Sequence, residues 1–354
     1  MAMDKIRILG GGISGLAAAI NLKKAGFDVE VHERKEYCGK HTQDFQFLEN
    51  WTFNEDVLDF LRSIDIRLDF YLKPWSSLEI FSPSLKRYTA KSDRSFLYLV
   101  KRGQTEGSID RSLEDQAKSH RVKIFYRSTL NSNEANIIAT GPQKPTFIAT
   151  GIKFRFKHPD KSIVLLDEKF SLKFYSYFIV NDDIGEIVCV NPVGITDFQT
   201  RLNLAIETFE RILDAKMENI GESFSASINF DLLQKATIKD RCYIGEAAGF
   251  QDFLAGFGMV YGFRSGYQVA KSIIEGLDFD RLWKKDFFKP LRISSNNRAF
   301  YERMSNDHFE KIISMLNSRN LVIKRLRGGD DFQYIMRKLY NHSISSFLRP
   351  LIFR

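Results

Sequence analysis

The sequence predicts an α/β core of the Rossmann-like type, an inserted antiparallel β-sheet domain and a helical C-terminal region, and therefore an α+β chain overall. Three observations lead to this prediction. A glycine-rich turn joins an apolar strand to an Ala-rich helix near the N-terminus, alternating polar and apolar residues fill the middle, and helical patterns dominate after Thr196. With 354 residues, the chain has the length of about two typical domains.

The N-terminal segment has the pattern of a strand, a turn and a helix that bind a nucleotide. Residues 5–9 form the expected strand and residues 16–24 the expected helix. In a G-x-G-x-x-G turn the first glycine permits the tight turn, the second lets the backbone approach a pyrophosphate, and the third lets the helix pack closely. The N-terminus of the helix then attracts the phosphates. The expected contacts in this turn are Gly10, Gly12, Ile13, Ser14 and Gly15.

An acidic residue follows the next predicted strand, residues 29–32. Glu33 lies 21 positions after Gly12, close to the spacing at which such folds place the residue that binds ribose hydroxyls. Its negative charge would repel the 2′-phosphate of NADP. Arg34 follows directly and is included in the predicted nucleotide site.

The rest of the chain divides by its periodicity. Residues 1–70, 95–150 and 236–276 are assigned to a discontinuous nucleotide-binding domain, and residues 71–94 and 151–235 to an antiparallel-sheet substrate domain. Residues 277–354 are assigned to a helical, basic C-terminal region. A helix is expected at 108–119, and strands at 122–126, 136–139 and 242–245 are expected to return to the nucleotide sheet.

Composition narrows the classes of protein. No stretch approaches the roughly 18 apolar residues that span a bilayer, and the start of the chain has no secretion signal. Three widely spaced cysteines and six histidines give no zinc or iron–sulfur pattern, so we expect a cytoplasmic protein without a metal. From Lys311 onward, nine Lys and Arg residues face only two acids. This bias favours peripheral contact with the inner face of a membrane over nucleic acid, and the alternative is a solvated helical face.

Two later segments carry a resemblance to a known family. Residues 137–141, Ile-Ile-Ala-Thr-Gly, resemble the Ala-Thr-Gly segment of flavoproteins with two dinucleotide folds, and residues 242–249, Cys-Tyr-Ile-Gly-Glu-Ala-Ala-Gly, resemble their late Gly-Asp motif. Together with the first glycine turn, they resemble the geranylgeranyl reductase family, within the class that includes the aromatic flavin hydroxylases. The resemblance runs from Ile6 to about Glu275. It implies FAD as the cofactor.

The resemblance also implies roles for particular residues. An acid after the late glycine binds the ribityl chain, a glycine-rich turn starts a helix aimed at the flavin, and an arginine is directed at the cofactor. A loop passes near the flavin, where many relatives have arginine at the position of Lys40. The residues that take these positions here are Thr140, Gly141, Gly245, Glu246, Gly256, Gly258, Met259, Arg102 and Lys40. The alternative for Arg102 is a surface cation.

Three residues are candidates for substrate contact. Cys38 lies in the loop near the expected flavin, and its alternative is an inert thiol. Tyr175 and Tyr177 lie where the family has a Tyr-x-Trp-x-Phe-Pro segment lining a prenyl cavity, with Tyr177 in place of the tryptophan and without the phenylalanine and proline. A plain structural role for this strand is the alternative.

The resemblance implies a reductase in which reduced FAD gives a hydride to a carbon–carbon double bond of a prenyl or similarly apolar lipid. The expected electron donor is NAD(P)H or a ferredoxin-like protein. The chain has no second G-x-G-x-x-G that would indicate a dedicated NAD(P)H domain. A flavin monooxygenase or halogenase is the first alternative, although Gly249 lies where aromatic hydroxylases commonly have histidine. A flavoprotein without net redox chemistry, such as an isomerase or a lipid-binding module, is the second.

Overall fold

The computed structural model describes residues 5–39, 42–218, 220–318 and 331–341. These residues group into two compact units. The first unit contains the described residues up to 73, residues 98–144 and residues 229–292. The second contains residues 74–97, 145–228 and the described residues from 293 onward. The division into domains that the sequence predicts, with 277–354 as a separate region, stays a prediction.

Strands and helices alternate in the first unit, and strands dominate the second. The strands are β1 (Ile6–Leu9), β2 (Val29–His32), β3 (Phe45–Glu49), β4 (Leu72–Trp75), β5 (Ser77–Phe81), β6 (Arg87–Lys91), β7 (Leu97–Lys101), β8 (Lys123–Phe125), β9 (Ile137–Ile138), β10 (Phe147–Arg155), β11 (Lys161–Leu165), β12 (Ser176–Asn181), β13 (Ile184–Pro192), β14 (Ile220–Ile228), β15 (Thr237–Ile238) and β16 (Arg241–Tyr243). The helices are α1 (Ile13–Lys24), α2 (Val57–Ser63), α3 (Ile109–Ser119), α4 (Phe198–Leu213), α5 (Met259–Glu275), α6 (Phe279–Tyr301), α7 (Asn306–Leu316) and α8 (Phe332–Asn341).

The first unit is built on a sheet with the strand order β15-β16-β9-β1-β2-β8. All neighbours pair in parallel except β15 and β16. The chain moves from β1 to β2 on one side, and β9 later pairs with β1 on the other side, so the strand order reverses at β1. In an open α/β sheet, ligands bind at the carboxyl ends of the strands next to such a reversal. The predicted Rossmann-like core is confirmed.

Helices α1 and α5 pack against each other through small residues. A Cβ atom at Gly266 would lie 2.4 Å from the Ser14 carbonyl oxygen, and one at Gly262 would lie 3.4 Å from Ile13 Cγ2. The two backbones therefore approach closely at Gly266, where a side chain would not fit, whereas a methyl group at Gly262 would make an ordinary contact. This packing brings the start of α5 beside the start of α1.

The second unit contains a seven-stranded sheet with the order β14-β10-β13-β12-β11-β5-β6. Alternate residues of its strands, such as Phe154 and Phe178, are buried together with Phe209 of α4. The sheet is antiparallel, as predicted, except that β11 pairs in parallel with β5.

One sequence-based expectation is wrong. The chain after Thr196 was expected to be helical apart from residues 242–245, but β14 lies there and pairs in antiparallel fashion along β10, and β15 precedes β16. Serine occupies positions 223, 225 and 227 of β14, so the strand lacks a strong hydrophobic pattern and owes its conformation to pairing with β10.

No helix in the part of the chain that the structure describes is long and apolar enough to cross a membrane. Much of the basic segment that starts at Lys311 lies outside the described residues, and so does Lys40. Peripheral membrane contact therefore stays a prediction.

Candidate nucleotide site

The predicted nucleotide contacts meet at one edge of the first sheet. Leu9, at the end of β1, is in register with His32 of β2 and Ile138 of β9, and Ile138 is in register with Tyr243 of β16. The residues that follow these strand ends are Gly10, Glu33, Thr140 with Gly141, and Gly245 with Glu246. The three motifs, which are far apart in sequence, therefore lie on neighbouring strands at the edge where such sheets bind ligands.

The first glycine turn is shaped by close backbone approaches at two of its glycines. Gly10 has a φ of +108°, and a Cβ atom there would lie 2.3 Å from the carbonyl oxygen of Ala139. A Cβ atom at Gly15 would lie 2.1 Å from the carbonyl oxygen of Gly10. Both glycines are required by the packing of the protein itself.

At Gly12, unlike at Gly10 and Gly15, no packing within the protein requires a glycine. A Cβ atom at Gly12 would meet nothing within 4 Å, and its φ of −78° is open to any residue. Gly12 is also the N-cap of α1, where no side chain accepts a hydrogen bond from the first N–H groups of the helix. Unpaired N–H groups beside open space fit a phosphate group, so the residues present fit a dinucleotide.

Glu33 is buried directly after β2 and holds the turn. Its Oε2 accepts a hydrogen bond from the Gly11 N–H at 2.8 Å, and its Oε1 accepts one from the Lys35 N–H at 3.0 Å. An ionised carboxylate has further acceptor capacity, so these bonds are compatible with the predicted contact to ribose. Arg34 is exposed.

The late motif packs onto the first helix. The Gly245 N–H donates to Ser265 Oγ of α5 at 3.0 Å, and a Cβ atom at Gly245 would lie 2.6 Å from Ser14 Oγ. Ser14 is thus enclosed between β16 and α5, which makes it a packing residue as well as a predicted contact. Glu246 is half-buried, and its Oε1 would lie 3.1 Å from a Cβ atom at Gly258.

A buried aspartate that the sequence reasoning missed organises the turn before α5. The Asp252 carboxylate accepts hydrogen bonds from the N–H groups of Leu254 at 3.1 Å and Ala255 at 2.6 Å. Its carbonyl oxygen accepts from the Gly256 N–H at 3.0 Å. The signal in the sequence is an aspartate just before a glycine-rich stretch, because aspartate side chains commonly bind backbone N–H groups of a following turn.

Helix α5 starts at this turn with an open end. Gly258 is its N-cap and supplies no side-chain hydrogen bond, and the first helical residue, Met259, is buried. The first N–H groups of the helix are therefore directed at the edge where the other motifs lie, together with the partial positive charge of the helix N-terminus.

Arg102 is held rigidly inside the first unit. Its Nε and Nη2 donate to the two carboxylate oxygens of Asp110 at 2.8 and 3.0 Å, and its Nη1 donates to Gln46. Only 11% of its side chain is exposed, so the alternative of a surface cation is wrong. Burial lowers the pKa of Arg102, but nearby carboxylates, foremost Asp110 and also Glu246, raise it further than burial lowers it. The predicted contacts Arg102 and Glu246 thus interact electrostatically.

Cys38 is enclosed by protein. Its side chain is fully buried, and its Sγ would lie 2.5 Å from a Cβ atom at Gly11. Its N–H donates to Glu114 at 2.9 Å, and its carbonyl oxygen accepts from Gln104 at 2.7 Å. Burial raises the pKa of the thiol well above its usual range, and the carboxylate of Glu114 raises it further. These properties favour the inert thiol, and contact with substrate stays a prediction.

Tyr175 and Tyr177 lie in the second unit. Both are half-buried, with ring centroids 6.2 Å apart, and Tyr175 stacks on Phe174 at 4.7 Å. In β12, Tyr177 alternates with Phe178, which is buried against α4, so Tyr177 belongs to the opposite face of the sheet. The two tyrosines form an aromatic pair on that face, and their contact with substrate stays a prediction.

Known proteins match this chain in sequence over limited regions. Residues 8–60 match the family described as the NAD(P)-binding Rossmann-like domain. Over 138 residues, or 36% of this chain, the sequence is 28% identical to 1-hydroxycarotenoid 3,4-desaturase from Flavobacterium sp.. The match spans only 28% of the length of that desaturase.

Solved structures match over almost the whole chain. A geranylgeranyl bacteriochlorophyll reductase-like protein from Thermoplasma acidophilum has a TM-score of 0.77 at 15% identity, with 98% of this chain and 99% of that chain covered. A flavoprotein/dehydrogenase from Cytophaga hutchinsonii has a TM-score of 0.67 at 14% identity, with 99% of both chains covered. A flavin-dependent brominase has a TM-score of 0.60 at 15% identity, with 98% and 99% covered.

At these identities the matches establish the fold. The resemblance to geranylgeranyl reductases that the three motifs carry is confirmed at this level. Within the described residues, no group of three or more His, Cys, Asp or Glu side chains is arranged to hold a metal ion. The chain therefore has the fold of the flavin-dependent oxidoreductases, and its predicted nucleotide contacts lie at the carboxyl ends of β1, β9 and β16.

Proposed function

We propose that the chain is an FAD-dependent oxidoreductase that reduces carbon–carbon double bonds of a prenyl or other apolar lipid. The observation that carries the proposal is the open space at Gly12, at the uncapped N-terminus of α1. A second uncapped helix start, at Gly258, lies next to Glu246. Two such helix ends suit an extended dinucleotide that has a diphosphate in its middle and an electron-accepting ring at one end.

The residues of the chain would bind and orient the cofactor. The N-terminus of α1 would bind the diphosphate, Glu33 the adenosine ribose and Glu246 the ribityl chain. The N-terminus of α5 would stabilise negative charge on the ring. FAD, when bound, supplies the hydride chemistry that protein side chains cannot perform.

The choice of a lipid double bond is supported by the likeness to two proteins and by one feature of the second unit. The full-length likeness to the Thermoplasma acidophilum protein has the TM-score of 0.77, and the partial match in sequence is to a carotenoid desaturase, so both names point to isoprenoid substrates. The aromatic pair Tyr175 and Tyr177 supplies apolar surface for such a chain. We further propose NAD(P)H or a ferredoxin-like protein as the electron donor, and contact of the basic C-terminal region with a membrane surface.

A flavin monooxygenase or halogenase is the second candidate, because a flavin-dependent brominase also matches 98% of the chain. Position 249 favours the reductase. A Cβ atom at Gly249 would lie 2.0 Å from the carbonyl oxygen of Asp231, and its φ is +73°. The histidine that aromatic hydroxylases commonly have there would not fit.

The proposal is tested on the protein as purified. We expect a yellow protein whose flavin, after anaerobic reduction with dithionite, is reoxidised on addition of geranylgeranyl diphosphate, with a gain of two hydrogens in the lipid by mass spectrometry. Reconstitution with 5-deaza-FAD, which transfers hydride but does not activate oxygen, should keep lipid reduction and abolish any oxygen-dependent product. Conversion of the lipid by the oxidised protein without a reductant would indicate a non-redox role. A reduced flavin that persists with lipid but yields hydroxylated or halogenated product when oxygen is admitted would select the second candidate.

A further inference from the structure

Among the buried side chains of the first unit with a polar atom that has no hydrogen-bond partner are the following four. They come from two segments: Glu49 and Thr52 at and just after the end of β3, and Gln251 and Tyr261 on either side of the turn that starts α5. Each is at least nine-tenths buried, and β3 contacts α5. Proteins pair nearly all such groups, with ordered water where no protein partner is available. Their concentration in two adjoining segments therefore indicates a functional position.

Glu49 is the most unusual member of this group. It is 2% exposed, and neither carboxyl oxygen has a hydrogen-bond partner. Burial raises the pKa of Glu49 well above its usual range, and the carboxylate of Asp252 raises it further, while its own backbone N–H and Arg264 act in the opposite direction. Burial and the charge of Asp252 both favour the protonated form of the carboxyl group.

Arg264 is the cation near Glu49, but its guanidinium group is bound to other residues. Arg264 donates to Asp286 at 2.9 Å and also pairs with Glu55. Its guanidinium group lies 3.6 Å from the ring centroid of Phe53. Two carboxylates thus already balance the charge of Arg264, which leaves little attraction for a negative charge on Glu49.

Tyr261 links this acid to the start of α5. It is the third residue of the helix and is fully buried, and its hydroxyl has no hydrogen-bond partner. Burial raises the pKa of Tyr261, and the carboxyl groups of Asp252 and Glu49 raise it further. The phenol is therefore neutral and can both donate and accept a hydrogen bond.

We propose that Glu49 is a buried proton donor that holds an ordered water together with Tyr261, beside the helix start at Gly258. The proposal rests on the proposed function. Reduction of a double bond adds a hydride with its electron pair to one carbon and a proton to the other. The reduced cofactor supplies the hydride, and Glu49 supplies the proton through the water. Glu49 is left as a carboxylate and regains a proton from solvent.

The first test measures protonation without any turnover. Infrared spectra of the purified protein at neutral pH should contain the C=O band of a buried carboxylic acid. Glu49→Gln should remove the band, whereas Glu275→Gln, which changes a half-exposed carboxylate at the end of α5, should leave it. Tyr261→Phe keeps the ring and should shift the band, because one hydrogen-bonding group is lost. A wild-type spectrum without the band, or a band that persists in Glu49→Gln, overturns the proposal.

The second test measures delivery of the proton. Under anaerobic single turnover with geranylgeranyl diphosphate, Glu49→Gln should reduce lipid about 100-fold more slowly, since general acids typically contribute at least this factor. Its FAD content and its rate of reduction by dithionite should match those of wild type. An unchanged rate of lipid reduction overturns the proton-donor role. If the wild-type protein reduces no lipid, the proposed function and the proton delivery by Glu49 fail together. If the wild-type protein reduces lipid but lacks the infrared band of a buried acid, the proposed function stands and Glu49 is not the proton donor.

Discussion

Replacing Gly12 with alanine should weaken FAD binding without weakening the fold. The new methyl group would meet no protein atom within 4 Å, and the φ of −78° suits alanine. Alanine restricts the unfolded chain but is a poorer N-cap than glycine, so the free energy of unfolding of the apoprotein should stay within about 1 kcal/mol of wild type. The same methyl group would occupy the space in which a diphosphate approaches the N-terminus of α1.

The expected loss of FAD affinity follows from the hydrogen bonds that the diphosphate would make with the N–H groups of α1. A hydrogen bond to a charged group contributes about 1.5–3 kcal/mol. Loss of one such bond should raise the dissociation constant of FAD about 10- to 100-fold. We expect to measure this by titrating apoprotein with FAD and following the quenching of flavin fluorescence, and to measure stability by urea unfolding of the same samples.

Two further glycines supply matched comparisons. Gly15→Ala would place its Cβ 2.1 Å from the Gly10 carbonyl oxygen, so the free energy of unfolding should fall by about 1–3 kcal/mol even without FAD. Gly262→Ala would make an ordinary 3.4 Å contact and should retain both stability and affinity. The reasoning is refuted if Gly12→Ala binds FAD as tightly as wild type, or if it unfolds as readily as Gly15→Ala.

Three other outcomes are expected. Arg102→Lys should lower the free energy of unfolding by about 1–3 kcal/mol, because a single ammonium group cannot replace the paired hydrogen bonds to the buried Asp110. Urea titrations measure this, and a variant as stable as wild type would contradict it. Cys38 should resist iodoacetamide at pH 8 in the folded protein and react once the chain is unfolded, because burial raises the pKa of its thiol. Labelling is followed by mass spectrometry, and rapid labelling of the native protein would show that the thiol is accessible. Gly249→His should yield little soluble protein, because the Cβ of the histidine would lie 2.0 Å from the Asp231 carbonyl oxygen. A soluble variant with a normal urea midpoint would show that position 249 can take a side chain.

The parts of the site that could be predicted depend on local sequence. The turn from Gly10 to Gly15, the strand that ends before Glu33 and the helix Ile109–Ser119 with Ser108 as its cap all follow from patterns within about 25 residues. Such patterns reflect backbone requirements and capping preferences, which a single sequence displays. The return of residues 122–126 and 136–139 to the nucleotide sheet was also predicted correctly, since β8 and β9 belong to that sheet.

The parts that could not be predicted depend on contacts distant in sequence. Glu49 is buried in the strand β3, which contacts α5 more than two hundred residues away, and nothing around position 49 indicates a buried acid. Arg102 could be read as a surface cation because its partner Asp110 lies across a turn in the next helix. β14 forms on the edge of β10, and its serine-rich sequence gives little hydrophobic periodicity.

The close approach of α1 and α5 also affects when the site can form. Gly266 lies about 250 residues after Ser14, so the surface that completes the first turn is made late in synthesis. Closing so long a loop costs conformational entropy, which only the completed contact between α1 and α5 offsets. A chain that ends before α5 would therefore carry an intact G-x-G-x-x-G pattern and still lack the partner helix that fixes it, so the site is complete only once α5 has packed against α1.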